Sequence, residues 1–132
     1  MMLLLKTHEN HVDGVRKHRK HASDDCPNYI RNGDWLLIQV TYGSTAHPIH
    51  RVKYAMRFVD CHEDIQGESD IIWGRHWQRI IHGCDLRILR HPFDIDNIKV
   101  SSKHYGQGVI RFAYIDPADE AAILEGGFLE PA

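Results

Sequence analysis

The sequence predicts a small α+β domain, a mostly antiparallel barrel of five to six short strands with one or two short helices. Short apolar runs recur between Gly, Pro, Asn and Asp turn residues, a pattern typical of such barrels. A length of 132 residues fits one domain spanning 1–132, which buries roughly two thirds of its unfolded surface. The composition, 42% apolar and 26% charged, excludes wholesale disorder and fibrous repeats.

The strand predictions follow from apolar runs and alternation. Met2–Lys6 is an apolar run that suits a buried strand, and the turn 32–34 leads into a strand at Trp35–Val40. Arg51–Phe58 alternates, placing Val52, Tyr54, Met56 and Phe58 on one face. Loops are expected at 43–48 and 60–70. Further strands are predicted at 71–73, 77–81, 86–89 and 109–115.

Helices are predicted at two places. The stretch Thr7–Asp25 has few large apolar residues and is interpreted as a polar helix or ordered loop, with Thr7 or Asn10 as its cap. A second helix follows Asp116, which is a good N-cap, and Pro117 fits its first turn. Gly126-Gly127 is expected to end this helix.

The cysteines and the N-terminus bear on the compartment. Cys26, Cys61 and Cys84 are odd in number, widely spaced and without a C-x-x-C pair, so reduced thiols are expected rather than a disulfide framework. The opening apolar run is too short for a signal peptide, and no stretch approaches the ~20 residues that span a bilayer. We therefore expect a cytoplasmic protein without a membrane partner.

Charge is unevenly distributed along the chain. The formal net charge is -2, yet residues 1–60 carry nine Lys/Arg against six Asp/Glu, and residues 61–132 carry seven against twelve. The N-terminal half is therefore the part expected to meet a polyanion. Eleven histidines add positive charge near their ordinary pKa of about 6.5. Nucleic-acid binding is therefore expected to strengthen between about pH 7.5 and 6.

Three segments are distinctive: the first strand Met2–Lys6, the entry Arg31-Asn32-Gly33-Asp34 into the strand Trp35–Ile38, and the tail Gly108–Ile115 with its helix. Together they resemble the PUA-like superfamily, and within it the EVE, YTH and ASCH group, with EVE domains the nearest. The segment at 39–44 departs from the Tyr-His-Ser type that often follows in EVE domains. The resemblance implies a PUA-like fold whose members commonly bind RNA or DNA, some of them holding a modified base in an aromatic pocket.

Aromatic and basic residues are the candidate nucleic-acid contacts. Trp35, Trp73 and Trp77 offer flat faces for stacking, and Arg75 and His76 can reach phosphate or a base edge. The alternative for the tryptophans is ordinary core packing. Phosphate contacts are assigned to Arg16, Lys17, Arg19, Lys20, Arg51 and Lys53. A solvated charged face is the alternative for these basic residues.

The sequence also offers candidate residues for a zinc site and for a hydrolytic site. A zinc site is the first of these: its candidate ligands are His8, His11, His18 and His21, near Cys26, although their spacing fits no familiar finger. Some ASCH relatives are small amidohydrolases that use a lysine and a glutamate, for which Lys53 and Glu68 are the nearest candidates here. No common nucleophile, phosphate-loop or dinucleotide motif is present.

The sequence thus predicts a non-catalytic module, without cofactor, that reads a modified or flipped base of RNA or DNA. The first alternative is a small ASCH-type hydrolase acting on a nucleoside-like amide. The second is a protein-interaction or homodimeric domain. Any chemistry on the nucleic acid is then expected from a separate effector enzyme.

Overall fold

The computed structural model describes residues 1–43, 49–94 and 112–131. In chain order the elements are β1 (Met2–His8), α1 (Val12–His18), β2 (Lys20–Ser23), β3 (Trp35–Tyr42), β4 (Ile49–Glu63), α2 (Glu68–Trp73), β5 (Arg79–Asp94), β6 (Phe112–Tyr114), α3 (Pro117–Gly126) and β7 (Phe128–Pro131). The predicted loop 43–48 and the start of the predicted strand 109–115 lie largely outside the described residues. Over these three ranges, no helix has the length and apolar character needed to cross a bilayer.

The strands form one sheet in the order β2-β5-β4-β3-β1-β6, with β7 pairing with β5. Only β1 and β3 pair in parallel among these strands; the other pairings are antiparallel. Register shifts interrupt the long β4–β5 ladder in three places, and such bulges increase strand twist. The sheet curls into a half-barrel, confirming a small, mostly antiparallel α+β fold. The described residues hold seven strands and three helices, more than predicted.

Two apolar cores lie on the two faces of this sheet. The first core, on the face covered by α1, includes Leu3, Leu5, Val15, Ile38 and Met56. The second core includes Met2, Leu4, Leu37, Ala55 and Ala113. Because consecutive residues of β1 alternate between the two cores, the whole run from Met2 to Leu5 is buried, as in parallel strands covered on both faces.

Helix α3 begins and ends near its predicted positions, whereas α1 covers only Val12–His18 of the stretch Thr7–Asp25, and strand β2 occupies Lys20–Ser23 of it. In α3, the Asp116 carboxylate accepts a hydrogen bond from the Ala118 N–H at 3.0 Å, with Pro117 in the first turn, as predicted. In α1, the N-cap position is His11, without a side-chain cap. Thr7 belongs to β1 instead, so the predicted caps of this helix were wrong. Val12 and Val15 are the buried residues of α1.

The β4–β5 hairpin corrects several boundaries. Strand β4 continues to Glu63, so the predicted loop at 60–70 shrinks to the residues before α2. The two strands predicted at 77–81 and 86–89 are one continuous strand, β5, which passes through Gly83. Strand β5 begins at Arg79, so residues 77–78 precede it. A register shift between Val52 and Tyr54 also changes the predicted face, because Val52 packs in the second core and Tyr54 in the first.

The segment 71–73 was predicted as a strand and is the end of α2. β-branched Ile71 and Ile72 favour strands locally. Gly67 and Gly74 adopt positive φ at the two ends of the helix, and Asp64 accepts hydrogen bonds from the N–H groups of its first turn. These caps outweigh the local preference, so the prediction failed where tertiary contacts override propensity.

The cysteines also correct the sequence prediction. Cys26 and Cys61 form a disulfide, with Cα atoms 5.8 Å apart, while Cys84 is free and exposed. Strand β4 brings Cys61 beside the segment that follows β2, although the two cysteines lie 35 residues apart in sequence. The predicted set of three reduced thiols was therefore wrong.

Candidate functional site

A cavity of about 110 Å³ lies between β1, α1, β2 and the segment around α2. It is lined by Lys6, Thr7, His8, His11, Val15, His21, Ala22, Trp73 and Trp77. His8 is exposed while the two tryptophans are half-buried, so the cavity meets solvent beside His8. The residues that line the cavity come from two parts of the chain that are distant in sequence, the β1–α1–β2 segment and the region around α2. The site therefore exists only in the folded protein.

Three aromatic rings form one wall of the cavity. The Trp73 and Trp77 rings have centroids 6.0 Å apart and planes inclined at 79°. The His11 ring lies 5.8 Å from Trp77 at 84°. These edge-to-face contacts are favourable arrangements for aromatic side chains, and they leave ring faces at nearly right angles around the cavity.

Trp73 is held by α1. Its indole Nε1–H donates to the His11 carbonyl at 2.9 Å. Gly14 lets the helix approach the indole, since a Cβ there would lie 2.4 Å from Trp73 Nε1 and 2.7 Å from Ile72 Cγ2. Only a glycine fits this contact, so Gly14 sets how closely α1 and α2 pack.

Trp77 is held through Ser69 and Asp64. The Trp77 N–H donates to Ser69 Oγ at 3.0 Å, and the Ser69 hydroxyl donates to the Asp64 carboxylate. The N–H groups of Glu68 and Ser69 also donate to Asp64, at 2.8 and 3.0 Å. Asp64 and Ser69 are both buried, so together they fix α2 and the start of the Trp77 segment.

The hydrogen bonds to Asp64 outweigh the cost of its burial. Burial alone would raise the pKa of this carboxyl, but the Ser69 hydroxyl and N–H, the Glu68 N–H and nearby His76 together lower it. Asp64 therefore remains ionised near neutral pH.

His21 is the polar group on the β2 side of the cavity. Its Nδ1 lies 3.2 Å from Thr7 Oγ1, and burial lowers the pKa of His21 to about 4. The pKa of His11 is also lowered, first by burial and then by His8 and Arg75. Both rings therefore contribute less positive charge between pH 7.5 and 6 than was expected from the sequence.

The predicted residues Arg75 and His76 lie just outside the cavity lining. The Arg75 guanidinium lies over the Trp77 ring, 4.7 Å from its centroid. His76 Nδ1 lies 2.9 Å from Asp70 Oδ2. Arg75 thus packs against the Trp77 ring of the aromatic wall, whereas His76 pairs with the Asp70 carboxylate.

Trp35 is separate from the other two tryptophans. Its ring packs against Phe128 at 4.7 Å, with the Arg57 guanidinium 4.1 Å from its centroid. It contacts the second core and does not line the cavity. The structure therefore brings together Trp73 and Trp77 but not Trp35.

The basic residues of α1 lie on the helix that supplies Val15 to the cavity lining. Arg16 and Lys17 are exposed, and Val15 between them and His11 lines the cavity wall. Arg16 also packs its guanidinium against the Tyr54 ring at 5.2 Å. Arg19 is the C-cap residue of α1. Across the part of the chain described, no ion pair joins Arg16, Lys17 or Arg75 to a carboxylate.

The other predicted phosphate contacts have partners of their own. Lys20 pairs with Glu68, and Arg51 lies 3.8 Å from Asp94. Lys53 donates to the Tyr42 hydroxyl at 3.0 Å. These three residues are therefore less available to phosphate than the α1 pair Arg16 and Lys17.

The Lys53 and Glu68 pair weighed for hydrolysis is not assembled. The hydrogen bond to Tyr42 raises the pKa of Lys53, so this amine stays protonated. Glu68 is bound by Lys20 and His62, and the hydrogen bond from Lys20 lowers its pKa. Lys53 and Glu68 therefore have separate partners in the structure.

The histidines proposed as zinc ligands do not gather. Among the described residues, the one group with three metal-ligating atoms close together is Asp64, Asp70 and His76, and it includes none of His8, His11, His18 or His21. Cys26 is in a disulfide and cannot join them. Within the group of Asp64, Asp70 and His76, the Asp64 carboxylate already accepts three hydrogen bonds from α2. These bonds identify Asp64 as a cap of this helix.

Sequence reasoning missed part of the cavity. His11 and His21 were considered as metal ligands and as sources of positive charge, and Thr7 as a helix cap, yet all three line the site. The apolar residues Val12 and Val15 indicate which face of α1 is buried, and His11, one turn before Val15, lies on the same side.

Comparison with known proteins adds no relative. No protein-family model matches the chain, and no curated protein is significantly similar to it.

Proposed function

We propose that this chain is a nucleic-acid-binding module that takes a single flipped or modified base of RNA or DNA into the Trp73–Trp77 cavity. The observation that supports it best is the aromatic wall of Trp73, Trp77 and His11 around an accessible cavity. A flipped base needs flat faces to stack on and a few polar groups that read its edge. Thr7 and His21 supply such polar groups.

The size of the cavity is compatible with a single ring. This cavity of about 110 Å³ is smaller than the apolar cavity of about 150 Å³ that accepts benzene, but it opens to solvent beside His8. The opening lets one ring enter in part while its sugar and phosphates remain outside.

The exposed cations near the cavity support phosphate contact. Arg16 and Lys17 are exposed on α1, which supplies Val15 to the cavity lining, and the Arg75 guanidinium lies over the Trp77 ring. Cations at these two places suit a backbone that passes across the opening. This binding surface is smaller than the one expected from the sequence, because Lys20 and Arg51 are paired with carboxylates.

The proposal includes a PUA-like fold of the EVE type. It is supported by the curled, strand-rich sheet, by β1 with its buried apolar run, and by the turn at Gly33 that enters β3. The expected cytoplasmic location is not supported by the disulfide, since disulfides persist in oxidising compartments. Any chemistry on the nucleic acid is assigned to a separate enzyme.

Titration of labelled single- and double-stranded DNA and RNA at two salt concentrations tests the function. Base–aromatic stacking contributes about 1–3 kcal/mol per base, so Trp77→Ala should weaken binding by roughly 5- to 150-fold. Trp77 is a better target than Trp73, whose indole is packed on the first core. Trp35→Ala is the matched control, because Trp35 lies away from the cavity. No binding at low salt, or equal losses in the two variants, would contradict the proposal.

The phosphate contacts have their own test. Each contact that is lost should reduce the salt slope of log K by about one. Arg16→Ala and Lys17→Ala are expected to do so, whereas Arg87→Ala should not, because Arg87 is bound to Asp85 at 2.7 Å. An unchanged slope in both α1 variants would remove α1 from the interface.

A further inference from the structure

The aromatic wall of the cavity continues beyond His11 to His8. The His11 ring, 5.8 Å from Trp77, also contacts the His8 ring, whose centroid is 6.3 Å away and whose plane is inclined at 64°. Together with the Trp73–Trp77 contact, these contacts join four rings in one aromatic row. All four residues line the cavity, and His8 is the exposed one. The aromatic row therefore runs from the cavity to the solvent at His8.

The His8 ring is held in place although it is exposed. Its Nδ1 accepts a hydrogen bond from the Asn10 N–H at 3.1 Å. The His8 carbonyl accepts another from the His11 N–H at 2.9 Å, so the turn from His8 to His11 holds both rings. A side chain that is already ordered loses less conformational freedom when a ligand binds. His8 is therefore suited to contact a ligand at the edge of the cavity.

A nucleobase of any kind can stack on such a ring. Stacking depends on dispersion and on the burial of flat apolar surface, and histidine is among the aromatic side chains on which bases stack. The contact does not depend on the charges of neighbouring acidic residues such as Glu9 and Asp13. The aromatic row thus offers two stacking positions, one in the cavity at the tryptophans and the other on His8.

Two adjacent stacking positions restrict the form of the nucleic acid. A base that is flipped out of a duplex leaves both of its neighbours paired within the helix. Two neighbouring bases are free to leave the stack together in a single-stranded loop, end or displaced strand. Because one ring, His11, lies between His8 and Trp77 in the aromatic row, neighbouring nucleotides of a single strand can occupy both positions.

We propose that His8 is a second stacking position, which takes the base next to the one in the cavity, and that the ligand is a single-stranded segment of RNA or DNA. This inference rests on the proposed function. The alternative is that His8 only borders the opening of the cavity, in which case one base supplies the whole stacking contribution.

The test counts the bases that the protein stacks. Short labelled strands of DNA, and of RNA, have equal length and consist of abasic nucleotides except at the centre. There the one-base probe carries one base, and the two-base probe carries two adjacent bases, varied among the common bases, N6-methyladenine and 5-methylcytosine. Because both probes have the same phosphates, the second base is expected to tighten binding through stacking alone, by about fivefold or more.

Three variants assign this gain to the His8 ring. In His8→Ala, only the small statistical gain of offering two bases should remain. His8→Phe, which keeps a flat ring without a charge, should retain the full gain. His18→Ala is the matched control and should behave as wild type, because His18 is an exposed histidine of α1 outside the aromatic row. A structural defect alone would weaken both probes equally and leave their ratio unchanged.

The possible failures are distinguishable. A wild-type protein that binds the one-base probe and gains nothing from the second base overturns this inference and leaves base binding standing. A gain that persists in His8→Ala, or that His8→Phe loses, also overturns it, because the gain then does not come from stacking on this ring. A duplex with one mismatched base that binds more tightly than the two-base probe overturns the single-stranded ligand. Absence of binding by every probe at low salt overturns the proposed function and this inference together.

Discussion

Replacement of Asp64 by alanine tests how the Trp77 side of the cavity is held. The buried carboxylate accepts hydrogen bonds from two α2 N–H groups, at 2.8 and 3.0 Å, and from the Ser69 hydroxyl. A hydrogen bond to a charged group contributes about 1.5–3 kcal/mol, and an unsatisfied buried donor costs about 1–3 kcal/mol. Because these contributions are not additive and part of α2 can reach water, we expect Asp64→Ala to lower the free energy of unfolding by about 3 kcal/mol.

Denaturant unfolding at several pH values measures this loss. The folded-state pKa of Asp64 is lowered, so its stabilising contribution is complete above the unfolded value of about 3.9 and disappears as pH falls through the folded value. The difference between wild type and variant should therefore be largest near pH 7 and shrink below about pH 4.

Asp70→Ala is the matched control. Asp70 also lies in α2, but its side chain is 52% exposed and pairs with His76 at the surface, so its loss should cost less than about 1 kcal/mol. A loss below about 1 kcal/mol for Asp64→Ala, or a difference that does not narrow in acid, would refute the assignment of Asp64 as the cap that holds this site.

Three further predictions follow from the same contacts. Gly14→Ala should lower the free energy of unfolding by about 1–3 kcal/mol, because the added Cβ forces α1 away from the Trp73 indole. A lower melting temperature and a changed near-UV spectrum would show this effect. Gly126→Ala is the control and should cause neither change, because a Cβ there would lie 3.8 Å from its nearest neighbouring atom. Reducing the disulfide, which spans 35 residues, should lower the free energy of unfolding by about 3–4 kcal/mol, measured in denaturant. Equal unfolding curves for the oxidised and reduced protein would contradict the presence of this disulfide. By NMR titration the His21 ring should stay neutral down to about pH 4; protonation near pH 6.5 would show that it is not buried.

Much of the fold is predictable from short segments. The apolar run of β1, the alternation in β4 and the cap of α3 each depend on residues close together in sequence. The same reasoning failed for α2, where Ile71 and Ile72 favour a strand and the caps at Gly67 and Asp64 produce a helix. It also placed Val52 on the wrong face, because a bulge is not visible in a regular alternation.

The candidate site was predictable in part. The aromatic pair Trp73 and Trp77 stood out by its spacing, and the basic run of α1 by its charge. Trp35 was grouped with them although it packs on the second core. His21 was missed as a cavity residue, because its environment comes from Thr7 on another strand.

By itself, the sequence determined a small, strand-rich α+β domain, its first strand and its last helix, α3, but not the strand β7 that follows this helix. Only the tertiary structure decided which residues come into contact. Trp73 donates a hydrogen bond to His11, 62 residues away in sequence, and Cys26 forms a disulfide with Cys61, 35 residues away. Local preferences act over a few residues, whereas the cavity forms only when segments distant in sequence pack together in the folded sheet.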